Sequence, residues 1–229
     1  MKIKIINPNR TVTMTDKMGT VARAVASPNT EIIACNPPSA PVSLECHYDE
    51  AIAIPHLLAE MGDSDIDGYI IGCFGDPGLM AAREITTAPV LGIAEAAMHV
   101  ASFLATGFSI VTTLSRTKII AEHLVINYGM ERHCRNIRAI DLPVLELEIK
   151  DSPAQNLIRQ ECQKALQEDG CGAIVLGCAG MADLAQKLST ELGVPVIDGV
   201  SAAVKLLEGI VALGLKTSKQ GNFAFPPKK

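Results

Sequence analysis

Two cysteines of this chain sit in matching surroundings. Cys73 lies in Gly72-Cys73-Phe74-Gly75 and Cys178 in Gly177-Cys178-Ala179-Gly180, 105 residues further on. Each follows a short apolar run and precedes a helical pattern. Each thiol is therefore expected just outside the carboxyl end of a strand, where parallel α/β sheets bind ligands. Free N–H groups and amide dipoles at a following helix start lower a thiol pKa from about 8.5, and the flanking glycines let a ligand approach the backbone. Two thiols on opposite faces of one small molecule suit inversion at carbon. One, as thiolate, removes a proton; the other, as thiol, returns a proton from the opposite face. The roles exchange for the reverse reaction, and neither direction needs a cofactor. Acid–base groups of this kind work best with pKa values near the working pH. The carbanion is held most simply as an enolate by backbone N–H donors, which the Gly-Cys-x-Gly turns supply. Taken alone, a cysteine after a strand is more often core than catalyst. The symmetric pair is what favours chemistry. Two other readings stay open on these residues: a cysteine nucleophile acting on a double bond or amide, and a two-lobed small-molecule binding protein without catalysis.

The elements that must position the thiols form an alternating series. Apolar strand patterns at Ile3–Ile6, Glu31–Cys35, Tyr69–Ile71 and Val90–Ile93 are separated by helical patterns at Thr11–Ala26, Asp49–Glu60 and Leu79–Ile85, with Glu95–Ala105 following. The series then restarts, with strands at Phe108–Thr112, Asn136–Ile140, Ala173–Leu176 and Val194–Ile197 and helices at Thr117–Tyr128, Ser152–Glu168, Met181–Leu192 and Ala202–Leu213. Short, solidly apolar strands between helices of 10–15 residues indicate βαβ units with a buried parallel sheet. Residues 67–97 and 171–203 repeat one another in order and spacing: glycine, apolar strand, Gly-Cys-x-Gly, helix, Pro-Val, and a small-residue helix start. The expected architecture is α/β, with two pseudo-symmetric lobes over 1–100 and 101–215. Each is a mostly parallel sheet flanked by helices, with the site in the cleft between them. The last helix is allowed to cross back onto the first lobe, and 216–229 is expected as a loose polar tail.

Composition narrows the partners. With 48% hydrophobic and 20% charged residues, the chain has the balance of an ordinary globular protein rather than a disordered one. A net charge of -5 disfavours general affinity for nucleic acid, and no Trp with three Tyr and five Phe leaves little for base stacking. No signal-peptide pattern and no apolar stretch of bilayer length is read, so a cytoplasmic, non-membrane protein is the expectation. Seven cysteines, an odd number, fit free thiols in a reducing compartment. No G-x-G-x-x-G, P-loop, C-x-x-C, H-E-x-x-H or G-x-S-x-G pattern is present, which removes dinucleotide, nucleotide, zinc and serine-hydrolase readings. No metal or cofactor is expected.

The chain also resembles a known family. Ile6-Asn7-Pro8-Asn9, Ser43-Leu44-Glu45-Cys46-His47-Tyr48-Asp49-Glu50-Ala51, Gly72-Cys73-Phe74-Gly75-Asp76-Pro77-Gly78-Leu79, Val111-Thr112-Thr113-Leu114 and Val175-Leu176-Gly177-Cys178-Ala179-Gly180-Met181 are similar to motifs of the Asp/Glu/hydantoin racemase superfamily, within it the hydantoin and allantoin racemase group. The likeness runs to about residue 213. It implies cofactor-independent, two-base racemisation between two α/β lobes, with Cys73 and Cys178 as the acid/base residues. Asn9, Thr112 and Thr113 then match residues that touch substrate. Gly75, and Ala179 with Gly180, match turns whose N–H groups hold a carbonyl. Glu45 and His47 would stand one layer behind the substrate. Cys46 departs from the family pattern, where a small residue such as Gly is expected. A homo-oligomer is also implied. A neutral hydantoin ring is a better carbon acid than an amino-acid carboxylate, so the substrate expectation is allantoin or another C5-substituted hydantoin. An aspartate- or glutamate-type racemase is the alternative. Phe74 and Asp76, beside Cys73, would shape the pocket for the C5 substituent, Asp76 doubling as a helix cap.

Overall fold

The computed structural model describes residues 1–62, 65–149 and 152–227. Strands β1 (Lys2–Ile6), β2 (Glu31–Cys35), β3 (Gly68–Ile71) and β4 (Val90–Gly92) form one parallel sheet in the order β2-β1-β3-β4. Strands β5 (Phe108–Thr112), β6 (Cys134–Ala139), β7 (Ala173–Leu176) and β8 (Val196–Ile197) form a second, in the corresponding order β6-β5-β7-β8. Every pairing is parallel. The helices are α1 (Val12–Val25), α2 (His47–Ala59), α3 (Leu79–Ile85), α4 (Ile93–Leu104), α5 (Lys118–Asn127), α6 (Ala154–Glu168), α7 (Ala185–Leu192) and α8 (Gly199–Ala212). The central strands β3, β5 and β7 are buried along their whole length, which is why they read as unbroken apolar runs.

One continuous core joins the two sheets. It contains Ile5, Met18 and Ile70 of the first lobe together with Ile110, Val175, Val200 and Leu207 of the second half of the chain. Helix α8 belongs to the second half in sequence but packs on the first sheet. A side chain at Gly68 of β3 would collide with Leu207, whose Cδ2 lies 2.8 Å from the Cβ position. Glu208 accepts hydrogen bonds from the Ser27 N–H (2.7 Å), the Ser27 hydroxyl (2.9 Å) and the Thr30 hydroxyl (2.6 Å).

Three elements differ from the sequence pattern. The stretch Met181–Leu192, expected as one helix, is a 3₁₀ segment over Ala179–Leu184 followed by α7. Side chains three apart align in a 3₁₀ segment, and Met181 and Leu184 both enter the core this way. Strand β8 starts only after Pro195, which has no N–H to give a ladder. The polar end of the chain makes hydrogen bonds to the first lobe. Thr217 donates its N–H to the Thr87 carbonyl and its hydroxyl to the Ala88 carbonyl, both at 2.9 Å, and the Lys219 ammonium caps the Arg83 and Glu84 carbonyls. Positions 228–229 of that tail lie outside the described residues. Among the described residues, no helix is long and apolar enough to cross a membrane.

Candidate active site

The two cysteine turns are built alike. Gly72, just past β3, donates its N–H to the Ile6 carbonyl at 2.8 Å, and Gly177, just past β7, does the same to Val111 at 2.8 Å. Each bond extends a ladder by one residue and then releases the chain at the cysteine. Gly177 has no room for a side chain, since a Cβ would stand 2.8 Å from that of Thr112. Both thiols open into a single cleft of about 590 Å3, counting its open mouth. Cys73, Phe74 and Gly75 line it from the first lobe with Asn9, Met14, Leu44 and Glu50; Cys178 and Ala179 line it from the second with Thr112, Thr113, Thr117, Ile120, Ala121 and Val144.

The polar groups of the cleft can be oriented from their partners. The Asn9 Oδ1 accepts from the Asn7 amide and from the Thr11 N–H, both at 2.9 Å. An atom that accepts twice must be the oxygen, so the Asn9 NH2 is the free end. Among the described residues, its one hydrogen-bonding neighbour is the Met14 sulfur at 3.7 Å. The Thr112 hydroxyl donates to the Gly177 carbonyl at 3.0 Å and so ties β5 to the second turn. Among the described residues, nothing engages the Thr113 hydroxyl, which is left for a ligand.

The thiols differ from the sequence expectation. Burial pushes both pKa values up, Cys178 to about 11 and Cys73 further still. The Gly75 and Gly180 N–H groups do point at sulfur and oppose the shift, but removal from water outweighs them. Their neighbours also differ: Glu50 and Asp76 face Cys73, whereas Cys178 is faced by the Lys17 ammonium, paired with Glu148 at 2.8 Å, as well as by the Glu148 and Glu45 carboxylates.

Asp76 and Gly180, expected against the substrate, do not line the cleft, and Glu45 and His47, expected behind it, also stand outside the lining. Asp76 is buried with a left-handed φ of 44°, and its carboxylate accepts the Ala94 and Glu95 N–H groups at 3.0 and 2.9 Å. It therefore caps α4 rather than the helix that follows it. The Tyr128 hydroxyl, from the second lobe, adds a third bond at 2.7 Å, and burial still raises the Asp76 carboxyl to about 7. Gly180 does not line the cleft: its carbonyl accepts from Lys17 at 3.3 Å, and its N–H, like that of Gly75, is directed at the sulfur of its own turn. Glu45 accepts the Val144 N–H at 2.9 Å, which holds a wall of the cleft from behind. His47 is largely exposed; it stands 3.5 Å from Glu50 and stacks on His123. The sequence pattern did not single out Glu50, Lys17 or Tyr128. Cys46 is the residue that precedes α2. Among the described residues, no cluster of His, Cys, Asp and Glu is placed to hold a metal ion.

A family model, Asp/Glu/Hydantoin racemase, matches residues 3–207. The chain belongs to the Asp/Glu/hydantoin racemase family. Within that family it is 48% identical to a hydantoin racemase of Pseudomonas sp. (strain NS671), across 100% of this chain and 93% of that protein. Among solved racemase structures, an allantoin racemase from Klebsiella pneumoniae superposes with a TM-score of 0.98 at 58% identity, covering 100% of this chain and 95% of that one. An allantoin racemase from Pseudomonas fluorescens gives 0.96 at 38% identity, covering 100% and 99%. The paired sheets and interlobe cleft described above are thus the family's fold.

Proposed function

We propose that this protein is a cofactor-independent racemase that inverts C5 of a hydantoin ring, in allantoin or another 5-substituted hydantoin, with Cys73 and Cys178 as the two bases. The observation that carries this reading is that equivalent thiols from two equivalent lobes line one cleft. With C5 between the sulfurs, one thiolate takes the proton and the opposite thiol gives one back. The charge that develops moves to the ring carbonyl next to C5. The free NH2 of Asn9 and the hydroxyl of Thr113 are the donors that support it. A thiol with a raised pKa is a stronger base once ionised, which suits a carbon acid.

Charge favours a neutral ring over an amino acid. Among the described residues, no Lys or Arg lines the cleft, and its one charged side chain is Glu50. An aspartate or glutamate substrate would bring carboxylates into a site without a cation to meet them. Incubation in heavy water with hydantoins, allantoin, aspartate and glutamate tests this reading. Deuterium is expected at C5 of the ring compounds, with loss of optical rotation. Exchange only on the amino acids would overturn the ring substrate, and exchange on none would leave a binding protein.

A further inference from the structure

The helices that follow the two cysteine turns end differently. In the second lobe, α7 closes on Gly193, whose left-handed φ of 70° lets its N–H return to the Ser189 carbonyl at 3.0 Å. Its counterpart α3 ends at Thr86 in extended backbone, and among the described residues the Thr86 N–H does not turn back onto the helix. The last carbonyls of a helix still need a donor. For α3 the donor comes from the far end of the chain. The Lys219 ammonium gives its three hydrogens to the carbonyls of Arg83 (2.6 Å), Glu84 (3.1 Å) and Phe223 (3.2 Å). A cation is also the favoured charge at this end of a helix.

Arg83 is held by the same segment at both ends. Its carbonyl accepts from Lys219, and its guanidinium lies against the Phe223 ring, 5.8 Å from the centroid. That guanidinium donates to the Val90 carbonyl at 3.1 and 3.0 Å and to the Glu95 carboxylate at 2.6 Å. The Glu95 N–H in turn donates to the Asp76 carboxylate. Helix α3 itself grows out of the Cys73 turn, with the Leu79 N–H on the Asp76 carbonyl at 3.3 Å. The turn is therefore gripped twice, by α3 directly and by the start of α4, and Arg83 joins the two grips.

We propose that residues 217–225 supply the cap that α3 lacks and, through Arg83, position the Cys73 turn, with Lys219 and Phe223 as positioning residues for that thiol alone. The inference rests on the racemase reading for its effect on turnover, whereas its effect on the thiol is read without substrate. The test compares full-length wild type, Lys219→Met, Lys219→Arg and Phe223→Leu. Racemisation is followed by circular dichroism of single hydantoin enantiomers. Alkylation is followed by mass spectrometry, for Cys73 in a Cys178→Ser background and for Cys178 in a Cys73→Ser background. Lys219→Met is expected to lower kcat about 5- to 10-fold at near-constant KM. It should speed Cys73 alkylation about 3- to 10-fold, by loosening a buried turn, and leave Cys178 within about 2-fold of wild type. Lys219→Arg, which keeps a cationic donor over the carbonyls, is expected to restore most of both effects, and Phe223→Leu to fall between. A Lys219→Met protein that melts earlier but keeps its kcat and its Cys73 reactivity would overturn the proposal, leaving the tail a strap without influence on the site. Equal acceleration at both thiols would overturn it as well. A wild-type protein that exchanges no hydantoin would sink the racemase reading, and the contrast in alkylation would still decide the role of the tail.

Discussion

The two lobes solve one local problem in opposite ways. Each ends its repeat with a strand, a helix start and a long helix, α4 in the first and α8 in the second. In the second lobe the cap is in place in the sequence: Asp198 precedes α8 and accepts the Ser201 N–H from its own helix. In the first lobe the equivalent position is Gly92, and the Asp76 carboxylate fills the space its Cβ would take. The cap has moved from the helix into the turn that carries Cys73. That turn is consequently tied to α4 and, through Tyr128, to the opposite lobe. The Cys178 turn has Met181 where the first has Asp76, and it is held from outside by Lys17 of α1. A duplicated framework thus carries two thiols with different anchors and different charges around them.

Six substitutions would sharpen or break this contrast. Cys73→Ser and Cys178→Ser are each expected to lower racemisation by about 1,000-fold, read by polarimetry, because every turnover needs both groups. A single variant that kept its rate would end the two-sided account. Asp76→Ala should cost about 3 kcal/mol in urea unfolding and also lower kcat, because it strands three donors beside the Cys73 turn. Asp198→Ala should cost only about 1 kcal/mol, with kcat little changed. Tyr128→Phe keeps the α4 cap and cuts the link between lobes; about 1 kcal/mol and a several-fold fall in kcat at near-constant KM are expected. The smallest effect is assigned to Lys17→Met. Burial sets the Cys178 thiol at about 11, while the Gly180 N–H and the Lys17 cation hold it down. Removing the cation raises it further, and below the pKa the thiolate fraction falls in proportion. Alkylation of Cys178 at fixed pH, measured in a Cys73→Ser background, should therefore slow by about 3- to 10-fold. An unchanged or faster rate would remove Lys17 from the account.

The sequence made the architecture legible because buried parallel strands such as Ala173–Leu176 are apolar throughout and the cysteine turns repeat. Asn9, Thr112 and Thr113 came from the family resemblance and Phe74 from its place beside Cys73, and all four line the cleft. What was hidden depends on contacts between distant segments. Glu50 falls within the helical pattern Asp49–Glu60, and only its approach to Gly75 shows it inside the cleft. Lys17 and Gly180 are 163 residues apart, and Tyr128 and Asp76 are 52 apart, so no local pattern signals either pair. Thiol acidity was misjudged because local amide geometry is visible in the motif, whereas the depth of burial is a property of the whole cleft.

The return of α8 to the first sheet bears on how the chain matures during synthesis. Gly68 and the Ser27–Thr30 corner wait for Leu207 and Glu208, which leave the ribosome well over a hundred residues later. An emerging N-terminal half cannot complete its own packing, so the halves are expected to reach their native state together, near the end of translation.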